Sequence, residues 1–194
     1  MRKLIVIRIV HTPFDMGSMK EGLEREGVGK IGRQRWEENQ RRIERFWGDV
    51  EKEVKALGLD PSKLRIYQDG LPCGGELGER IVRETASKGS RNYQIIERLM
   101  DRGARIEATE SPDLLRMEYA YIKALLEANT EDERRSADVR YHQVKDRLLE
   151  ERDLFIAKSI AATLQEGETG LLFIGASHNV LPKIPKEIEV KSLD

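Results

Sequence analysis

The feature that most narrows the possible folds is a short aliphatic run near the amino terminus, KLIVIRIV over residues 3–10. Apolar, β-branched residues at nearly every position suit a strand covered on both faces, and such strands belong to parallel sheets flanked by helices. The rest of the chain supplies matching pieces. Further strands are expected at Leu64 to Gln68, Ala104 to Thr109 and Gly170 to Ile174, with a short one at Ile188 to Val190 pairing with the fourth. Helical patterns fill the intervals. One runs from about Ile31 to Leu57 with the stripe Ile43, Trp47, Val50, Val54, Leu57, and Gly58 and Pro61 end it. Two more run from Glu76 to Ser87 and from Arg91 to Arg102. Another is started by Ser111-Pro112-Asp113 and carries Leu114, Leu115, Met117, Tyr121, Ile122, Leu125 and Leu126. A long helix over Glu131 to Leu164, capped by Thr130, carries the stripe Ala137, Tyr141, Val144, Leu148, Phe155, Ser159. Residues 12–18, after His11, read as a loop. The pattern predicts a single α/β domain over residues 1–194: a mostly parallel sheet of four to five strands flanked by helices, with one long helix in the C-terminal half.

Composition removes several functional classes. The 34 basic and 35 acidic residues balance, so the chain lacks the basic surplus of a general nucleic-acid binder. No stretch approaches the ~18 uninterrupted apolar residues of a membrane span. The first apolar run is broken by Arg8 and lacks a cleavage pattern. The single Cys73 cannot form an internal disulfide, which favours a reducing compartment and a cytoplasmic location. Charged residues make up 36% of the chain, a composition that recurs in proteins from hot environments.

In open α/β sheets, ligands bind beyond the carboxyl ends of the strands. Four expected strands end in a residue capable of chemistry: His11, Asp69, Glu110 and His178. The chain has 3 histidines, and two of them fall at strand ends. Arg152 interrupts the apolar stripe of the long helix, so its guanidinium requires an anionic partner (Asp69, Glu110 or a substrate anion) or a path to water. Asp15, Asp69, Ser177 and Asn179 are placed to contact substrate. His142, between Asp138 and Asp146 at four-residue spacing, reads as part of a solvated ion-pair ladder. Neither the glycines around Gly27 nor Gly74-Gly75 match a phosphate loop or a dinucleotide fingerprint.

The segment Glu151-Arg152-Asp153-Leu154-Phe155-Ile156-Ala157 and the later run Leu171 to His178, ending in Gly175-Ala176-Ser177-His178, resemble the helix and Gly-x-x-His motifs of the TraB/PrgY/TIKI group. Pro182 and Ile184 follow at similar places. Arg8-Ile9-Val10-His11 resembles that group's other histidine motif, without its glycine three residues earlier. The resemblance covers about forty C-terminal residues. It places the chain beside the erythromycin esterase and ChaN-like proteins, and implies a pocket of two histidines, acidic residues and an arginine. It also implies hydrolytic chemistry, metal-dependent in some members, or haem binding in others.

On residues and resemblance together, the expected activity is hydrolysis of an amide or ester bond in a small-molecule or peptide substrate, by one of two mechanisms. In the first, His11, His178 and Glu110 hold Mn, Co or Zn, and Arg152 binds an oxyanion or a substrate carboxylate. In the second, a histidine oriented by Glu110 is a general base without metal. The acidic residue remains open between Asp69, Glu107 and Glu110, with Glu110 preferred. The alternative is a non-catalytic protein binding haem or an anionic metabolite. Trp36, Trp47 and the long helices can serve a homodimer interface as readily as a core.

A thermophilic origin has a direct consequence. Thermal unfolding followed by circular dichroism is expected to give a midpoint well above the ~45–65 °C of mesophile domains. A midpoint inside that range would remove the inference.

Overall fold

The computed structural model describes residues 1–10, 12 and 20–193. His11 and Asp15 lie outside the described residues. A five-stranded, all-parallel sheet runs in the order β3-β2-β4-β1-β5, formed by β1 (Arg2–Ile9), β2 (Leu64–Gln68), β3 (Arg105–Glu107), β4 (Thr169–Gly175) and β5 (Ile188–Leu193). The helices are α1 (Lys20–Ile31), α2 (Arg33–Ala56), α3 (Gly75–Ser87), α4 (Arg91–Met100), α5 (Pro112–Glu127) and α6 (Glu131–Thr163).

Alternation along the strands divides two cores. Ile5, Ile7 and Ile9 of β1, with Ile66, Ile106, Leu171 and Phe173, pack on the face covered by Trp47, Val50 and Val54 of α2, Val82 of α3 and Ile95 and Ile96 of α4. Leu4, Val6, Tyr67, Leu172 and Ile174 point the other way, against Ile156, Ala157 and Ile160 of α6. Both faces are apolar, which is why β1 reads as an unbroken run instead of an alternating one. Trp47 is fully buried in the first core and has no free face for a partner.

Three local expectations change. β5 pairs with β1, not with β4. Two adjacent parallel strands need a crossover of about a dozen residues. The segment 176–187 supplies it by passing over β1, anchored by buried Val180 and Ile184. α1 was not expected, because it has no apolar stripe and buries no residue. Its Gly27 lies under the ring of Trp36, which a Cβ there would meet at 2.1 Å. In α6 the stripe predicted through Phe155 is displaced. Phe155 is exposed, while Leu148, Arg152, Asp153, Ile156 and Ile160 form the buried face, at four-residue steps apart from Asp153.

At the amino-terminal edge of the sheet, Arg65 of β2 binds Glu168, just before β4, at 2.8 and 3.0 Å, and also Glu107 of β3. It therefore joins three strands through side chains as well as backbone. Burial raises the pKa of Glu168, but the bond from Arg65, the Gln165 N–H and the charges of Arg65 and Arg105 together outweigh that and hold the carboxyl below its ordinary value.

Replacing Arg65 with Met is expected to cost about 2–3 kcal/mol, since two partly buried carboxylates lose their cation. Denaturant unfolding reads the change. The sign with pH follows from linkage. The folded Glu168 binds its proton less readily than the unfolded one, so its contribution is present above the ordinary carboxylate pKa and fades as pH falls through the folded value. The difference between wild type and Arg65→Met should therefore shrink between about pH 5 and pH 3.

Candidate functional site

The carboxyl ends of β2, β3 and β4 come together, as a parallel sheet requires, and each is pinned to its neighbour. The Asp69 N–H donates to Phe173 O at 2.9 Å, and the Thr109 and Glu110 N–H groups donate to Leu71 O at 2.9 and 3.0 Å. The Gln68 N–H donates to Thr109 Oγ1 at 3.0 Å. Gly70, with φ of 81°, turns the chain back immediately after Asp69, a conformation few other residues adopt. Asp69 and Glu110 thereby leave adjacent strands and face the same side chain on α6.

That side chain is Arg152, which is 7% exposed. Its Nη2 donates to Asp69 Oδ1 at 2.9 Å and Glu110 Oε1 at 2.5 Å, its Nε to the Glu110 oxygens at 3.1 and 3.2 Å, and its Nη1 to Glu118 of α5. Burial alone would favour losing the proton, but Glu110 first, then Asp69 and Glu118, reverse this and keep the guanidinium charged. The expected partners Asp69 and Glu110 are both present. The guanidinium is spent on the protein's own carboxylates, so binding an oxyanion or a substrate carboxylate gives way to a positioning role.

His178 is also buried, and both ring nitrogens face carboxylates. Nδ1 lies 2.6 Å from Asp153 Oδ1, and Nε2 lies 3.4 Å from Asp69 Oδ2. The other Asp153 oxygen accepts the Asn179 N–H at 2.8 Å, and the other valence of Asp69 Oδ2 takes the Gly175 N–H at 2.9 Å. Burial lowers the imidazole pKa, but Asp69 and then Asp153 more than offset it, so the pKa is raised. For Glu110, fully buried, burial raises the pKa and Arg152 works against it. For His178 the orienting carboxylate is therefore Asp153 and not the expected Glu110; His11, the other histidine of the metal-free mechanism, lies outside the described residues.

One ligand atom each from Asp69, Glu110 and His178 lie within 4.8 Å of one another. An imidazole nitrogen with two carboxylates is a donor set suited to Mn, Co or Zn. The charge balance also fits. Asp69, Glu110, Glu118 and Asp153 face Arg152, His178 and Lys183, so with every group ionised the carboxylates outnumber the cations by one. Glu107 is excluded from this cluster, since it binds Arg65 at the sheet's opposite edge.

Asp69, Arg152 and His178 line a cavity of about 900 Å³ whose outer walls are α5 and α6. Ser177, exposed, lines it too. Asn179 is exposed and is not among the lining residues. His142 is solvated beside Asp138, as its spacing suggested. Two functional side chains escaped the sequence reading. Asp153 is one residue after Arg152 on the same buried face, and Glu118 lies among Leu114, Leu115 and Ile122 on α5. In both cases the available signal was an acidic residue inside an apolar stripe.

Replacing Asp153 with Asn keeps shape and removes the charge beside Nδ1. Loss of that carboxylate is expected to lower the His178 pKa, since Asp153 is one of the groups that raise it. Titration of the imidazole followed by nuclear magnetic resonance, beside an unchanged far-ultraviolet spectrum, checks it. No family model matches the chain, and neither a curated protein nor a solved structure matches it.

Proposed function

We propose that the chain is a hydrolase of amide or ester bonds, acting with a divalent cation held by His178, Asp69 and Glu110 at the inner end of the cavity. His11 was the second histidine expected there, but it lies outside the described residues, and the reading stands without it. The observation that carries the proposal is the direction of His178. Asp153 occupies Nδ1, so the remaining nitrogen, Nε2, faces the cavity beside Asp69. This carboxylate–imidazole order is the one that fixes a histidine's tautomer for metal ligation.

A bound Mn, Co or Zn ion would polarise the substrate carbonyl and lower the pKa of a water. The protein's own groups supply positioning. Arg152 holds Asp69, which lines the cavity, and Glu110, which lies fully buried behind it, in fixed orientations. Glu118 joins Arg152 to the Tyr141 hydroxyl, which donates to it at 2.9 Å. Through that pair α5 and α6 are fixed to each other across the site. In the metal-free alternative His178, its pKa lowered by burial but raised on balance by Asp69 and Asp153, would act on water or on a leaving group.

Protein purified without an affinity tag and stripped of metal should bind about one Mn, Co or Zn ion per chain. Binding at ~100-fold over Kd stabilises by about 2.7 kcal/mol, a rise in Tm of roughly 5–10 °C for a chain of this size. Asp69→Asn and His178→Gln should abolish the rise, and hydrolysis of a panel of 4-nitrophenyl esters and anilides should depend on the ion. Indifference to all three ions would overturn the metal assignment.

A further inference from the structure

The outer end of the same cavity carries a charge that the inner network does not use. Lys145 of α6 is half-buried and lines the cavity, and among the described residues it has no hydrogen-bond or ion-pair partner. Lys52, Lys55 and Lys183 sit on carboxylates, and the other lysines for which the described residues show no partner, such as Lys63, Lys88 and Lys158, are exposed. A partly desolvated ammonium held against a cavity gains most from an anion that arrives with a ligand.

The position of Lys145 on the helix sets the geometry. It precedes Arg152 by seven residues, two turns, so both project to one side of α6 about 10 Å apart along the axis. The cavity walls near them are apolar and aromatic: Leu149 between the two on α6, Tyr141 one turn before Lys145, and Leu115, Tyr119 and Ile122 from α5. The other charges near the outer end are Arg116, which is exposed and paired with Asp113, and Asp146, an exposed carboxylate. Asp146 opposes an anion, but in open solvent its charge is screened more than that of half-buried Lys145.

We infer that Lys145 is the carboxylate anchor of a substrate with an apolar or aromatic body, whose other end reaches the carboxylate cluster two helical turns away along α6. Peptides cleaved a few residues before their carboxyl terminus and monoesters of longer dicarboxylic acids have this form. The assignment rests on the hydrolytic reading only for which end of the cavity reacts; the anchoring itself is a binding claim.

Binding of 4-phenylbutyrate and of its neutral amide, measured by calorimetry on metal-free protein, tests the anchor without needing turnover. Wild type should prefer the carboxylate by about tenfold, the size of one charge-assisted contact at a half-exposed site. Lys145→Gln should bind both ligands alike, and Lys145→Arg should retain most of the preference. Equal affinities in wild type, no binding of either ligand, or a preference that persists in Lys145→Gln would each overturn the assignment. Failure of the hydrolase reading would look different: the carboxylate preference would remain while metal and ester hydrolysis had no effect on each other.

Discussion

The site depends on one buried cation. Arg152 gathers Asp69 from the end of β2, Glu110 from beyond β3 and Glu118 from α5, while its own backbone belongs to α6. Taking a guanidinium out of water is costly, and the cost is offset only when several well-placed acceptors satisfy its planar donors. Three carboxylates from three elements do so here. The geometry of the β2 and β3 loops, the seating of α6 on the sheet and the approach of α5 therefore cannot be varied independently. Removing any one acceptor leaves charge unpaired in a place where water has little access.

The same arithmetic produces the site's chemistry. Three carboxylates neutralise one arginine with charge left over, and Asp153 adds another beside His178. A region of this kind draws in a proton or a cation. In keeping with that, the pKa values of Glu110, through burial, and of His178, where Asp69 and Asp153 outweigh burial, are both raised. Groups whose pKa values are shifted by burial and charged neighbours beside a cavity are candidates for a functional site.

Much of this was legible in the residues, and the failures have physical causes. The strand ends at Asp69, Glu110 and His178 could be read because buried parallel strands are plain in sequence and their carboxyl ends collect polar groups. Arg152 stood out because it breaks an apolar stripe. Asp153 did not, since the stripe was drawn through Phe155 and the rotation of α6 was misplaced by one position. With Ile156 in place of Phe155, Arg152 and Asp153 fall on the buried face together. α1 gave no signal because a helix packed only against other helices at the surface needs no apolar stripe, and its glycines read as loop. The partner of β5 was hidden for another reason. Strand order is set by which crossover covers which face, and local pattern carries no record of that.

α6 links the two ends of the cavity. It has 33 residues, so it is about 50 Å long. Its C-terminal half lies against the sheet through Ile156, Ala157 and Ile160, while its N-terminal half meets α5, with Tyr141 and Tyr121 stacked at 6.1 Å. Arg152 sits within the anchored half and Lys145 two turns toward the other. A residue on a helix moves with its neighbours, so the two-turn spacing between the backbones of Lys145 and Arg152 is fixed by hydrogen bonds within α6, while the lysine's flexible stem sets where its ammonium lies. Under the anchoring proposal that spacing limits how short a ligand can be and still reach both groups, and α5, which buries no side chain fully, is the wall opposite.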